Sequence, residues 1–470
     1  MSLLRSWCVV LPAAMFLLGA SASAATYYVS NAGNDGNPGT SDAPFQHLSR
    51  AAAAAQQPGD TVLVMDGTYD NEGVVSPGFV VRLGQSGNLG NPIIFQAINR
   101  GRVILDSMNT SGGTDCNGAY SYFDLRNSSF IVIQGFVFQR SCDEGIHSND
   151  SAHDVLVRWN EFRNIAQHTV TDQIGRDGIY LNNSEYNFTF DGNVFHDIGR
   201  TDGVSNPHFD HGIYTHGNNI AIINNVFYNM NRGFSIQMAD GAANMLIANN
   251  TFVNGQANGD AGDIMFWGNN SNVTVRDNIF YAPNQTAMTQ YAASIYGCSF
   301  DHNLIYAANG FMSGGGCSES NTQFGDPGFM NIAGADFHLR PGSVAVGMGV
   351  PADVWSDLDG ITRPQNKAAD VGAYQFSSAA NLQIVNSSRG GSLLWYVGDW
   401  WTVNITGGAP NAPVVVTVGD WSGGVGTTDA AGNLQLSGQA ADANLGVSHE
   451  VWTVGGVVAN PGSLDIAVLP

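Results

Sequence analysis

Four of the eleven histidines in this 470-residue chain, His168, His208, His211 and His216, crowd into one stretch with Asp172, Asp177, Asp210, Arg176, Tyr180 and Tyr214. Imidazole, phenol, carboxyl and guanidinium groups brought together are equipment for proton transfer. Removing a proton from a carbon next to a carboxylate needs a base, groups that hold that carboxylate, and an acid for the leaving oxygen. His211 as base, Tyr214 as acid, and Arg232 with Gln237 or His216 against the carboxylate would meet that need, and Asp177 joins them as the fourth candidate catalytic residue. Tyr180, His216, Gln237, Trp267, Arg176, His208 and Asp210 are the candidate substrate-binding residues. Asp177 and Asp210 are also candidate ligands for Ca²⁺, although no calcium-loop motif is present. Hydrolysis is the second chemistry. It needs two carboxyls flanking a glycosidic bond, and Glu144 with Asp177, or Asp177 with Asp172 or Asp210, would supply them. No H-E-x-x-H or H-x-x-x-H pattern argues for a zinc site.

These residues are ordered by a repeat. The segments from Ile133, Val157, Phe190, Ile222, Ile247, Val275 and Phe300 are versions of one unit, with starts 24, 33, 32, 25, 28 and 25 residues apart. Each is a short alternating strand, an Asn or Gly turn, and a returning apolar residue, so that one coil cannot bury its own face and stacked coils can. Asn160, Asn193, Asn225, Asn250, Asn278 and Asn303 fall at one place in successive units, where their amides would form a ladder along the axis. The pattern predicts an all-β fold, a right-handed parallel β-helix.

A second strand precedes each unit: EGIHSN, DGIYLN, HGIYTH, RGFSIQ and GDIMFW. Alternation with Ile146, Ile179, Ile213, Phe234 and Ile264 inward leaves outward columns. One column reads Glu144, Asp177, His211, Arg232; the next His147, Tyr180, Tyr214, Ser235, Met265; the third Asn149, Asn182, His216, Gln237, Trp267. The two long intervals place extra residues in 163–176 and 196–210, on one side of the coil, where insertions build binding faces.

The ends complete the solenoid. Residues 45–60, FQHLSRAAAAAQQPGD, form an expected capping helix, followed by the strand TVLVMDGTY. The opening segment YYVSNAGNDGNPGTSDAPFQHLSRAAAAAQQPGDTVLVMDGTY and the closing segment LDGITRPQNKAADVGAYQF resemble those of right-handed β-helix proteins of the pectate-lyase-like polysaccharide lyase type. The resemblance covers roughly residues 26–376 and implies a lyase that cleaves a uronic-acid-containing glycan. Glycoside hydrolase, uronate epimerase and non-catalytic glycan-binding or adhesin-type β-helix are the alternatives. Several calcium-dependent relatives use a lysine base, whereas the single lysine here, Lys367, lies in the closing segment. From residue 377 the Asn repeats stop, and WTVNITG and APVVVTVGDW alternate between Gly-rich turns. A small C-terminal β-sandwich, 377–470, is expected to follow the β-helix domain of 25–376. Its five tryptophans are expected mainly in the core, with a sugar-stacking face as the alternative.

Residues 1–24, MSLLRSWCVVLPAAMFLLGASASA, have the apolar run and A-x-A end of a signal peptide, so a secreted protein, extracellular or periplasmic, is expected. The four cysteines beyond it suit two disulfides, Cys116–Cys142 and Cys298–Cys317 by the short-loop pairing. A net charge of −22 argues against nucleic acid and anionic membranes as partners. The expected partner is a polysaccharide substrate, bound by a monomer.

Overall fold

A coil of three short strands returns on itself every 19 to 42 residues only if each turn changes direction sharply and the inward side chains fill one narrow core. The computed structural model describes residues 24–70, 79–106, 121–167, 175–200, 208–255, 262–351 and 354–376, and then 380–388, 394–408, 411–418, 421–429, 432–441, 446–454, 457–459 and 464–469. Between Ser121 and Phe324 each coil gives one strand to each of three faces. Ile146–Ser148, Ile179–Leu181, Ile213–Thr215 and Ile236–Met238 pair in parallel on the first face. His153–Arg158, Tyr186–Asp191, Asn218–Ile223 and Ala243–Ala248 pair likewise on the second. Glu161–Arg163, Val194–His196, Val226–Tyr228 and Thr251–Val253 form the third.

The core is a column of identical contacts. Phe138, Phe162, Phe195, Phe227, Phe252 and Phe280 stack face to face, with centroids 4.7, 4.7, 4.7, 5.1 and 4.7 Å apart. That spacing is the ladder spacing of the strands themselves. The asparagine ladder is present too. Nδ2 of Asn160, Asn193, Asn225, Asn250 and Asn278 each donates to Oδ1 of the next member, at 3.0–3.1 Å. The same oxygens accept the backbone N–H of the preceding asparagine, so the turn's polar groups are satisfied inside the core.

The capping helix is shorter than expected and spans only Leu48–Ala54. Gln57 to Asp60 form a turn instead: the Asp60 carboxylate accepts the N–H of Gln57 at 2.9 Å and that of Ala25 at 2.8 Å. The closing segment folds back along the third face, where Phe329, Phe337, Leu358 and Val371 cover Val226, Val253, Ile279 and Leu304. Lys367 is exposed there. Cys298 and Cys317, paired on adjacent coils, form a disulfide. Cys116 and residues 1–23 of the expected signal peptide lie outside the described residues.

Beyond the solenoid, Asn381–Asn386, Trp400–Thr406 and Leu434–Gln439 form an antiparallel sheet. A second small sheet is built around Pro413–Val418, Gly446–Val454 and Leu464–Leu469. They enclose a core of their own, to which Trp395 and Trp452 belong and against which Trp401 packs, while Trp400 is exposed. Among the described residues no helix is long and apolar enough to cross a membrane.

Candidate active site

The first face carries the site because of two glycines. A Cβ on Gly178 would lie 2.6 Å from the carbonyl oxygen of Gly212, and one on Gly212 equally close to that of Ser235; both would press on the phenylalanine stack. Glycine at these positions lets the chain enter its strand close against the next coil. Asp177 and His211, each one residue earlier, then border a cavity of about 510 Å³. Tyr180, Tyr214, His208, Gln237 and Trp267 also line it, together with Gly175, Phe209, Met265 and Tyr291.

The register differs from the expected columns by two residues on the fourth strand. Ile236, not Phe234, pairs with Ile213, and Gln237 pairs with Tyr214 and with Met265. The first column therefore continues from His211 to Phe234, and the second reads His147, Tyr180, Tyr214, Gln237, Met265. Arg232 leaves the face altogether: it is buried before the strand begins, and its Nε donates to the carbonyl of Arg200 at 3.2 Å. Gln237 moves one column over and faces Tyr214.

His211 is buried, and its Nδ1 accepts the backbone N–H of Phe234 at 3.0 Å. An imidazole that accepts at Nδ1 carries its proton on Nε2. Burial, and then the charge of His208, push its pKa down to about 3, so the ring is neutral. This tautomer is a donor, and the role of base expected for His211 does not suit it. Asp177 is also buried, with Oδ1 accepting the N–H of His211 at 2.9 Å. Burial, and then Glu144 on the preceding coil, raise its pKa well above the usual carboxylate range. Tyr214 is pushed up to about 12 by burial and by Asp177, and holds its proton. The rings of His147, Tyr180 and Tyr214 stack in sequence, with centroids 5.1 and 5.5 Å apart.

Other expected residues are spoken for. Asp210 is fully buried, and its two oxygens meet Arg200 Nη2 at 2.7 Å and Nε at 2.9 Å. Arg176 donates to the carbonyl of Cys142 at 3.1 Å and lies 3.2 Å from Asp143. Neither of these expected substrate-binding residues is among the described residues that line the cavity, and nor is Arg232, expected as a catalytic residue. Asp177 and Asp210 do not make a calcium site among the described residues, since both oxygens of Asp210 are committed to Arg200 and no third acidic, His or Cys ligand joins them there. His216 sits at the rim, with Nδ1 3.0 Å from the Asp240 carbonyl and its ring edge-on to Tyr214. Glu144 is buried behind the face and accepts the Ser121 hydroxyl. His168 and Asp172 lie outside the described residues. Sequence reasoning missed Phe209 and Tyr291. Tyr291 stacks on Trp267, with centroids 5.0 Å apart and planes within 13°; the alternating pattern in TQYAAS is the signal that would have found it.

A larger cavity of about 760 Å³ lies between the closing segment and the C-terminal sheets. Of its ionisable lining groups, His338 lies 2.5 Å from Asp336 and 2.7 Å from Asp359 beyond the lining, and Arg340 donates to the Met330 carbonyl at 2.7 Å.

Residues 121–326 match the family model for a right handed beta helix region. Pectate lyase L of Dickeya chrysanthemi is 27% identical over 159 residues, which are 29% of this chain and 37% of that protein. Pectate lyase L of Dickeya dadantii (strain 3937) is 35% identical over 105 residues, 21% of this chain and 24% of that one. The chain thus spans well under half the length of these curated relatives. Pectate lyase Pel9A superposes with a TM-score of 0.50 at 16% identity, over 76% of this chain and 97% of that one. The stacked coils, the cap and these likenesses together show a right-handed parallel β-helix, the fold that the chain shares with pectate lyase Pel9A.

Proposed function

We propose that the chain is a secreted polysaccharide-degrading enzyme, a lyase that cleaves a uronic-acid-containing glycan by β-elimination in the cavity around His211 and Tyr214. The observation that carries this reading is the tautomer of His211. The Phe234 N–H occupies Nδ1 and leaves Nε2–H as a neutral donor, in a ring 5.6 Å from that of Tyr214. A donor of this kind stabilises the charge that develops on the carbonyl oxygens when C5 loses its proton. Tyr214 supplies a proton to the leaving oxygen. His208, the second imidazole at the cavity wall, serves as base. Asp177 fixes His211 through its backbone N–H, and Gln237 with the Trp267–Tyr291 pair holds sugar rings. No step is routed through calcium.

Hydrolysis by paired carboxyls has less support. Among the described lining residues Asp177 is the one carboxyl, while Glu144 is held by Ser121 behind the face. The disulfide between Cys298 and Cys317 supports export to an oxidising compartment. The two separate cores support a division into a β-helix domain, 25–376, and a β-sandwich domain, 377–470.

Incubation with a panel of uronate-containing and neutral polysaccharides tests the reading. Elimination yields the ultraviolet absorbance of a C4=C5 double bond together with new reducing ends, in EDTA as well as without it. Reducing ends without that absorbance would mean hydrolysis and would end the lyase assignment.

A further inference from the structure

The charges around the cavity restrict which uronic acid it takes. The described lining is aromatic rings, a thioether, the Gln237 amide, the imidazoles of His208 and His211 and the Asp177 carboxyl, with no Lys or Arg among them. The nearby arginines are committed elsewhere: Arg200 to both oxygens of Asp210, Arg176 to Asp143 and the Cys142 carbonyl, and Arg232 to the Arg200 carbonyl. Segments 168–174 and 201–207, which precede the site strands in the chain, contain no Lys or Arg in their sequence. Asp177 stands in the wall itself, and the whole chain carries −22. A free carboxylate entering here would leave water for a lining that holds no described cation to meet it. The cavity does hold polar groups that call for uncharged partners. The Gln237 carbonyl oxygen is buried and has no hydrogen-bond partner, so it needs a donor such as a sugar hydroxyl.

We propose that the cavity takes a uronic acid ester, a glycan whose carboxyl is esterified and uncharged, in preference to the free polyuronate. The inference rests on the lyase reading and specifies its substrate. Proton loss next to a carboxylate creates a second negative charge on the group, whereas proton loss next to an ester creates a single one. A lone neutral donor, the Nε2–H of His211, is matched to the single charge. In the step, His208 takes the C5 proton and the C5–H electrons form the C4=C5 bond. The C4–O bond breaks, and its oxygen receives the proton of Tyr214. Proton exchange with solvent resets both residues. The Trp267–Tyr291 pair presents half-exposed parallel rings on which the apolar faces of flanking uncharged sugars stack.

The test compares methyl-esterified polygalacturonate, alginate ester and glucuronan ester with the same three polymers after saponification, using the full chain at low and high salt. Formation of unsaturated product on an ester at least about tenfold faster in kcat/KM than on its free acid, with little dependence on salt, is the expected result. Faster elimination on a free acid would overturn the ester preference and leave the lyase reading standing. The absence of unsaturated product from all six polymers would overturn the lyase reading itself. A charge-gain variant provides the second arm. Met265→Arg places a cation in the second column beside Gln237, and should shift the ratio toward the free acid; an unchanged ratio in a folded variant that retains activity on either form would count against the argument from charge.

Discussion

At His211 the position of one proton decides what the ring can do. The Phe234 N–H claims Nδ1, and a neutral Nε2–H results. Nitrogen NMR of the imidazoles should find Nε2 protonated and the ring neutral down to about pH 3, because burial and His208 depress its pKa to that value. A ring that titrates near the ordinary histidine range would remove the basis for its role as donor. His211→Gln retains an amide donor and should keep more kcat than His211→Ala, with KM nearly equal in the two, as expected for an interaction made in the transition state. Tyr214 is expected to act through its hydroxyl alone. Tyr214→Phe keeps the stack on Tyr180 and should lower kcat by roughly 10²–10⁴-fold while leaving the melting temperature within a few degrees. A drop in stability with unchanged kcat would make the residue a packing element.

Within the coil, the asparagine ladder and the inward return of an apolar residue were legible because they recur at the same place in successive units, whereas the face-to-face stacking of the phenylalanines was not read from the sequence. Asn225 shows how much rests on one rung. Its amide donates to Asn250 and to the carbonyls of Phe190 and Ile223, and its oxygen accepts from Asn193 twice. Asn225→Ala should cost about 2–4 kcal/mol in denaturant unfolding, since buried partners are left unsatisfied on both sides. Less than about 0.5 kcal/mol would mean that water replaces the amide. The site was legible only in part, for a reason of parity. A slip of one residue turns every side chain to the other face and breaks the hydrophobic pattern, whereas a slip of two preserves it. RGFSIQ fits either way, and the structure chooses Ile236 over Phe234 as the partner of Ile213. Arg232 was lost from the face and Gln237 gained a neighbour by that slip alone. Asp210 and Arg176 were misplaced for another reason: residues 163–176 and 196–210 carry both acids and arginines, and their order in the chain does not disclose that Asp210 closes on Arg200.

Across the molecule, buried acids set the direction in which pH acts on stability. Burial pushes Asp143 up to about 8, Asp263 up to about 7, and Asp277 and Asp357 up to about 6. Their unfolded counterparts lose the proton near the ordinary aspartate value of 3.8. Over the interval between, the folded chain binds more protons than the unfolded one. The stability these groups contribute is therefore complete below about pH 4 and is lost as pH rises through about 8. The net charge of −22 acts in the same direction, since self-repulsion grows as acids ionise. Asp263 isolates the effect. It is buried, its Oδ1 accepts the Ser235 hydroxyl at 3.1 Å, and its Oδ2 has no partner. Asp263→Asn keeps the shape and one acceptor but cannot ionise. Denaturant unfolding should find the variant close to the parent at pH 5 and more stable at pH 8, by on the order of 2 kcal/mol. Equal destabilisation at both values would mean that the ionised carboxylate has a partner in the folded chain, and that the fall in stability toward alkaline pH must come from the other three acids and from net charge.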